Sequence, residues 1–118
     1  MSYGPSQRQL RVGELVRRVL GELLMRGDLH EEPILTRGGV VVSEVRPTPD
    51  LRNAIVYVTA HGSEDTDEAV AALKRMKPLL KSRVAQAVRL KYAVNLEFVG
   101  DGSFDEAERI TRLLNEKR

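Results

Sequence analysis

KRMKPLLKSRVAQAVRLKYAVNLEFV, residues 74–99, decides the fold, because it holds a helical pattern, a break in that pattern and a strand in close succession. Leu73, Met76, Leu80, Val84 and Ala87 recur at helical spacing, which buries one stripe and ranks Lys74, Lys77 and Lys81 along its flank. Pro78 lies inside the pattern. It removes the hydrogen bond to the Lys74 carbonyl and disfavours helix at Lys77, a cost of about 3 kcal/mol in an uninterrupted helix. The spacing therefore predicts two helices meeting at Met76 to Pro78, or one helix with a sharp kink. In AVNLEFV (Ala93 to Val99), Val94, Leu96 and Phe98 alternate with Asn95 and Glu97, the pattern of a half-buried strand.

Upstream, VVVSEVR (Val40 to Arg46) and AIVYVTA (Ala54 to Ala60) are rich in β-branched residues and flank a turn with Pro47, Pro49, Asp50 and Asn53, which predicts a hairpin. The prolines guard its end against register slip and edge pairing. Earlier still, Ser6 and Gln9 have capping-box spacing ahead of Leu10, Leu15, Val16, Val19, Leu20, Leu23 and Leu24, and Gly27 stops that helix. Gly13 and Gly21 weaken it by about 1 kcal/mol each relative to Ala, so either something packs closely against it or packing elsewhere carries the cost. GSEDTDE (Gly62 to Glu68) is an acidic start to the helix that leads to Lys74. After the last strand, Gly100, Asp101 and Gly102 turn the chain. Ser103 and Glu106 then form a second capping box before a helix carrying Ala107, Ile110, Leu113 and Leu114. Helix, strand, strand, helix, helix, strand, helix suits an α+β fold: a three-stranded mixed sheet covered on one face by helices, with the broken helix as the crossover. One domain over residues 6–116 is expected, with a flexible arm over residues 1–5 and a short C-terminal end at residues 117–118.

The segment from Lys74 to Lys91 carries Lys74, Arg75, Lys77, Lys81, Arg83, Arg89 and Lys91 and no acidic residue. Removing these seven from the 19 basic residues leaves 12 against 17 acidic ones. A protein of formal charge +2 thus divides into a +7 segment and a −5 remainder, an asymmetry that points to an anionic partner. Lysines late in a helix also favour its dipole, which accounts for part of the cluster without any partner. Arg8, Arg11, Arg17 and Arg18 form a secondary group, partly offset by Glu14 and Glu22.

A chain of 118 residues buries roughly two-thirds of its unfolded surface and needs no metal or disulfide to fold. With no cysteine, thiol catalysis and cysteine-ligated zinc are excluded. No signal peptide and no apolar run of about 18 residues is present, so a cytoplasmic location and no membrane partner are expected. Two Phe, three Tyr and no Trp offer little stacking surface for unpaired bases, so contacts to nucleic acid should lean on phosphate and shape.

The order of elements is similar to the type II KH fold, a nucleic-acid module that usually clamps its ligand with a GxxG loop between the middle helices. There is no glycine between Ser63 and Val99, so that clamp is absent. Three stretches carry a more specific resemblance, to the bacterial ribosome-binding factor A family: VVVSEVRPTPDLRNAIVYVT (Val40 to Thr59), KSRVAQAVRLKYAVNLEF (Lys81 to Phe98) and DGSFDEAERITRLL (Asp101 to Leu114). With the first helix they span nearly the whole chain. The family's kink usually holds small residues, Ala-x-Gly, where this chain has Met76, Lys77 and Pro78. The resemblance implies a KH-like assembly factor without catalytic activity. It would bind the small ribosomal subunit, assist maturation of its ribosomal RNA, notably at the 5′ end, and serve in cold adaptation. This agrees with the charge asymmetry, from which the seven basic residues are expected to contact phosphates, with Arg8, Arg11, Arg17 and Arg18 as secondary RNA contacts; no cofactor is expected, and whether an assembly GTPase drives release stays open. The expected state is a monomer.

Other chemistry has little support in the residues. His30 and His61 are isolated in sequence, Glu31 and Glu32 beside His30 do not complete a metal site, and Gly100 to Gly102 lacks the lysine and serine of a phosphate loop. The rival reading is a protein-interaction module whose basic helix docks an acidic partner.

Overall fold

The structure of the protein, a computed structural model, describes residues 4–61, 65–101 and 104–116, the side chains of residues 104–106 and 116 apart. The first helix, α1 (Gln7–Arg26), opens with a reciprocal cap: the Gln9 amide donates to the Ser6 hydroxyl at 3.1 Å, and the Ser6 amide donates to Gln9 Oε1 at 2.8 Å. Gly27 ends it at a left-handed φ of 69°, its amide donating to the Leu23 and Leu24 carbonyls. Val12, Val16, Leu20, Leu23 and Leu24 form the buried stripe.

A close approach to α1 occurs at one glycine of the two. A Cβ on Gly13 would lie 2.6 Å from the Val45 carbonyl oxygen and 3.2 Å from Pro47 Cδ, whereas a Cβ on Gly21 would meet nothing within 4 Å.

Strands β1 (Val40–Pro47) and β2 (Asn53–Ala60) pair antiparallel as the predicted hairpin. Val42 faces Val58 and Glu44 faces Tyr57, so Ser43 is an extra residue and the strand bulges there. The Ser43 hydroxyl lies 2.9 Å from Asp101 Oδ2 and 3.2 Å from the Tyr57 carbonyl oxygen. Strand β3 (Asn95–Gly100) runs parallel to β2, from Asn95 beside Asn53 to Gly100 beside Val58. Sheet order is β1-β2-β3, with β2 in the middle.

A short helix, α2 (Pro33–Thr36), lies between α1 and β1, where the sequence shows only a polar connection. Leu29, Ile34 and Leu35 from this region are buried in the main core. The crossover consists of α3 (Thr66–Arg75) and α4 (Lys77–Ala87). Asp65 caps α3, accepting from the Asp67 amide at 2.8 Å. Met76 joins the two helices at φ −89° and ψ 4°. Pro78 falls in the first turn of α4, where its missing N–H leaves no bond unmade, and the Leu80 amide donates to the Met76 carbonyl at 3.0 Å. The proline thus begins a second helix. Leu73, Met76, Leu80 and Val84 are buried as predicted. Ala87 is exposed, and the stripe closes at Val88, four residues beyond Val84.

Helices α1, α3 and α4 cover the face of the sheet that carries Ala54, Val56, Val58, Leu96 and Phe98. The expectation of a single covered face needs one correction. Ile55, Tyr57 and Val99 alternate onto the opposite face and pack against Ala107 and Ile110 of the last helix, α5 (Phe104–Glu116). The expected capping box of Ser103 and Glu106, the arm through residue 3 and the C-terminal end lie outside the described residues.

The two glycines separate a packing role from a merely permissive one. Gly13→Ala should destabilise the fold by about 1–3 kcal/mol through overpacking against β1. Gly21→Ala should stabilise it by up to about 1 kcal/mol. Urea unfolding of both variants checks this, and equal effects would refute the close approach at Gly13.

Candidate nucleic-acid interface

Helical geometry spreads Lys74, Arg75, Lys77, Lys81 and Arg83 around α3 and α4 rather than along one line, while Arg89 and Lys91, expected on the same basic helix pair, lie past the end of α4 in the connection to β3. At about 100° per residue, Arg83 points roughly 160° away from Lys81. Lys77 lies on the flank toward β3: its Nζ is 3.5 Å from Glu97 Oε1 and 3.5 Å from Asn95 Oδ1. Arg83 lies on the other flank and borders a groove of about 240 Å³ with Val19, Glu22, Leu23 and Arg26 of α1. Lys74, Arg89 and Lys91 are exposed and Lys81 is partly so.

Two of the seven are ion-paired within the protein. The Arg75 guanidinium grips Glu32 with two bonds, Nη2 to Oε1 at 2.7 Å and Nε to Oε2 at 3.0 Å, which fastens α3 to the start of α2. These bonds hold the Glu32 carboxyl below the usual carboxylate range and raise the Arg75 guanidinium. Lys77 is the other. Among the described residues, Lys74, Lys81, Arg83, Arg89 and Lys91 have no carboxylate in ion-pair range.

The secondary group divides in the same way. Arg17 pairs with Glu14 at 2.7 Å, and hydrogen bonds from Arg17 hold that carboxyl low. Arg8, Arg11 and Arg18 are exposed and have no such partner among the described residues. Arg8 meets the far end of the basic segment: with Lys91, Leu90, Tyr92, Leu51 and Asp50 it lines a cavity of about 230 Å³. Arg52 and Tyr92 belong to this place and were not predicted. Their contact joins positions 40 residues apart in sequence, and no local pattern marks it.

No group of three or more potential metal ligands occurs among the described residues. His30 and His61 are exposed. No helix among the described residues is long and apolar enough to cross a membrane.

Residues 8–114 match the family model described as ribosome-binding factor A. The chain belongs to the ribosome-binding factor A family. Ribosome-binding factor A of Paracoccus denitrificans is 52% identical over 115 residues, covering 98% of this chain and 83% of the relative. That of Methylobacterium nodulans is 50% identical over 113 residues, covering 96% and 83%. The crystal structure of ribosome-binding factor A from Thermus thermophilus superposes with a TM-score of 0.65 at 28% identity, covering 83% of this chain and 97% of that one. The KH-like α+β architecture expected from the order of elements is therefore the ribosome-binding factor A architecture, here with a proline-initiated second helix at the break.

The pairing of Arg75 with Glu32 has a pH signature. The Glu32 carboxyl is depressed in the folded state, so its contribution is present above the unfolded carboxylate pKa and is lost as pH falls through the folded one. Amide protection at Leu35 should therefore drop in acid, and Arg75→Gln should lower it at neutral pH as well. Hydrogen exchange followed by NMR reads both, and unchanged protection in Arg75→Gln would show that the ion pair does not hold α2 in place.

Proposed function

We propose that this chain is an assembly factor for the small ribosomal subunit, binding the subunit and assisting the maturation of its ribosomal RNA at the 5′ end. The observation that carries the reading is the set of five cations, Lys74, Lys81, Arg83, Arg89 and Lys91, that have no carboxylate partner among the described residues, on a member of the ribosome-binding factor A family. Each can neutralise a phosphate and release condensed counterions, which supplies affinity without sequence readout. Lys77 and Arg75 belong to the same surface but must exchange a carboxylate for a phosphate, so they contribute less. Arg8, Arg11 and Arg18 extend the surface over α1. On this reading the protein works in the cytoplasm as a monomer and acts by binding, holding RNA in a state that processing enzymes can use.

Cosedimentation with purified small subunits across a salt series tests the proposal, with large subunits and a short single-stranded RNA as controls. Selective binding is expected, with a log–log salt slope of about −0.7 to −0.9 per phosphate contact for about four to six contacts. Lys74→Glu with Lys81→Glu should weaken it at least tenfold, and Arg75→Gln by clearly less. Equal binding to all three RNAs, or full affinity in the folded double variant, would overturn the assignment.

A further inference from the structure

Among the described Phe and Tyr side chains, Tyr92 is the one that stands partly outside the protein, 46% exposed, while Tyr57 and Phe98 are buried. It lies in the connection between α4 and β3, and the turn of the β1–β2 hairpin brings Arg52 onto it. The guanidinium carbon is 4.1 Å from the ring centroid, within stacking distance. The Lys91 ammonium is 5.4 Å from the same centroid. Lys91 and Arg8 also line the small cavity beside the ring.

The turn that delivers Arg52 is tightly held. Leu51 has a left-handed φ of 61°, an uncommon and costly conformation for a bulky residue, and its side chain is buried. The Thr48 hydroxyl lies 2.7 Å from Asp50 Oδ1, which also accepts from the Arg52 amide at 3.1 Å, and the Thr48 amide donates to the Asn53 carbonyl at 2.8 Å. Asp50, the acidic residue lining the cavity, holds the turn through its Oδ1. Arg8, Arg52 and Lys91 have no carboxylate in ion-pair range among the described residues. Two cations thus lie over one half-exposed ring and a third lines the cavity beside it, none with a carboxylate partner among the described residues.

An acidic peptide would use these cations but not the ring, and a duplex would offer phosphates but no free base face. A flat π surface stacked on a guanidinium, with further cations beside it, suits a group that is aromatic and anionic together. We propose that Tyr92 and Arg52 stack an unpaired base of RNA while Arg8 and Lys91 hold its neighbouring phosphates. The inference rests on the RNA-binding reading above. It adds a base contact to a surface otherwise confined to phosphates.

The test uses the full chain, oligouridylate RNA and an abasic chain of the same length as probes, and small-subunit cosedimentation in parallel. The Tyr92 ring signals should move on adding oligouridylate but not on adding the abasic chain. Tyr92→Leu should lose about tenfold in affinity for both oligouridylate and small subunits with an unchanged salt slope. Tyr92→Trp should restore it, and Arg8→Gln with Lys91→Gln should flatten the slope. Equal binding of the base-bearing and abasic chains, or parental affinity in Tyr92→Leu, would overturn the inference. Small-subunit binding that survives Tyr92→Leu sinks this inference and leaves the assembly-factor reading standing. Tyr92-dependent binding of oligouridylate by a chain that ignores small subunits does the reverse.

Discussion

Parallel pairing of β2 with β3 is the constraint on which the rest depends. A turn joins antiparallel neighbours, but a parallel neighbour requires the chain to travel back along the sheet before it can pair. Helices α3 and α4 make that return, and their stripe of Leu73, Met76, Leu80, Val84 and Val88 must lie on the sheet for the return to be stable. Each such side chain gains about 1.5–3 kcal/mol on full burial. The opposite sides of the same helices are then solvent-facing by construction. The fold consequently generates a charged outer surface wherever the sequence supplies cations without carboxylates.

The break at Met76 decides how that surface is shaped. It leaves Lys74 and Arg75 in α3 and Lys77, Lys81 and Arg83 in α4, where rotation within that one helix turns Lys77 toward β3 and Arg83 toward α1. A single straight helix carrying the same residues would present them in one periodic pattern. The proline achieves the break at little cost, since the first turn of a helix has amides without partners in any case. Small residues at such a junction act by letting other groups approach the backbone. Here the buried Met76 side chain occupies the junction instead.

Much of the fold was legible because its signals are local. Ser6 with Gln9, Gly27, Pro78 and the alternation from Val94 to Phe98 each act within a few residues, so a linear reading finds them. What escaped lies elsewhere. Four residues of α2 are too few to show a helical period, and its burial depends on α1 and α3. The choice of Val88 over Ala87 depends on how α4 is rotated on the sheet. The division of the basic cluster into engaged and unpaired members was invisible, because Arg75 meets Glu32 across 43 positions and Lys77 meets Glu97 across 20. Composition gave the sign of the surface, and tertiary contacts gave its occupancy.

The bulge at Ser43 bears on how the length of the strand can vary. Val40, Val42 and Val45 are all buried although their spacing breaks the two-residue rhythm of a strand, and the extra residue absorbs the mismatch. Removing Ser43 would restore regular alternation and keep the same three valines facing inward. The strand can thus be written with seven residues or with eight around one core, the longer version adding a hydroxyl within reach of Asp101. A seven-residue strand lacking Ser43 would keep the register unchanged on either side of the bulge.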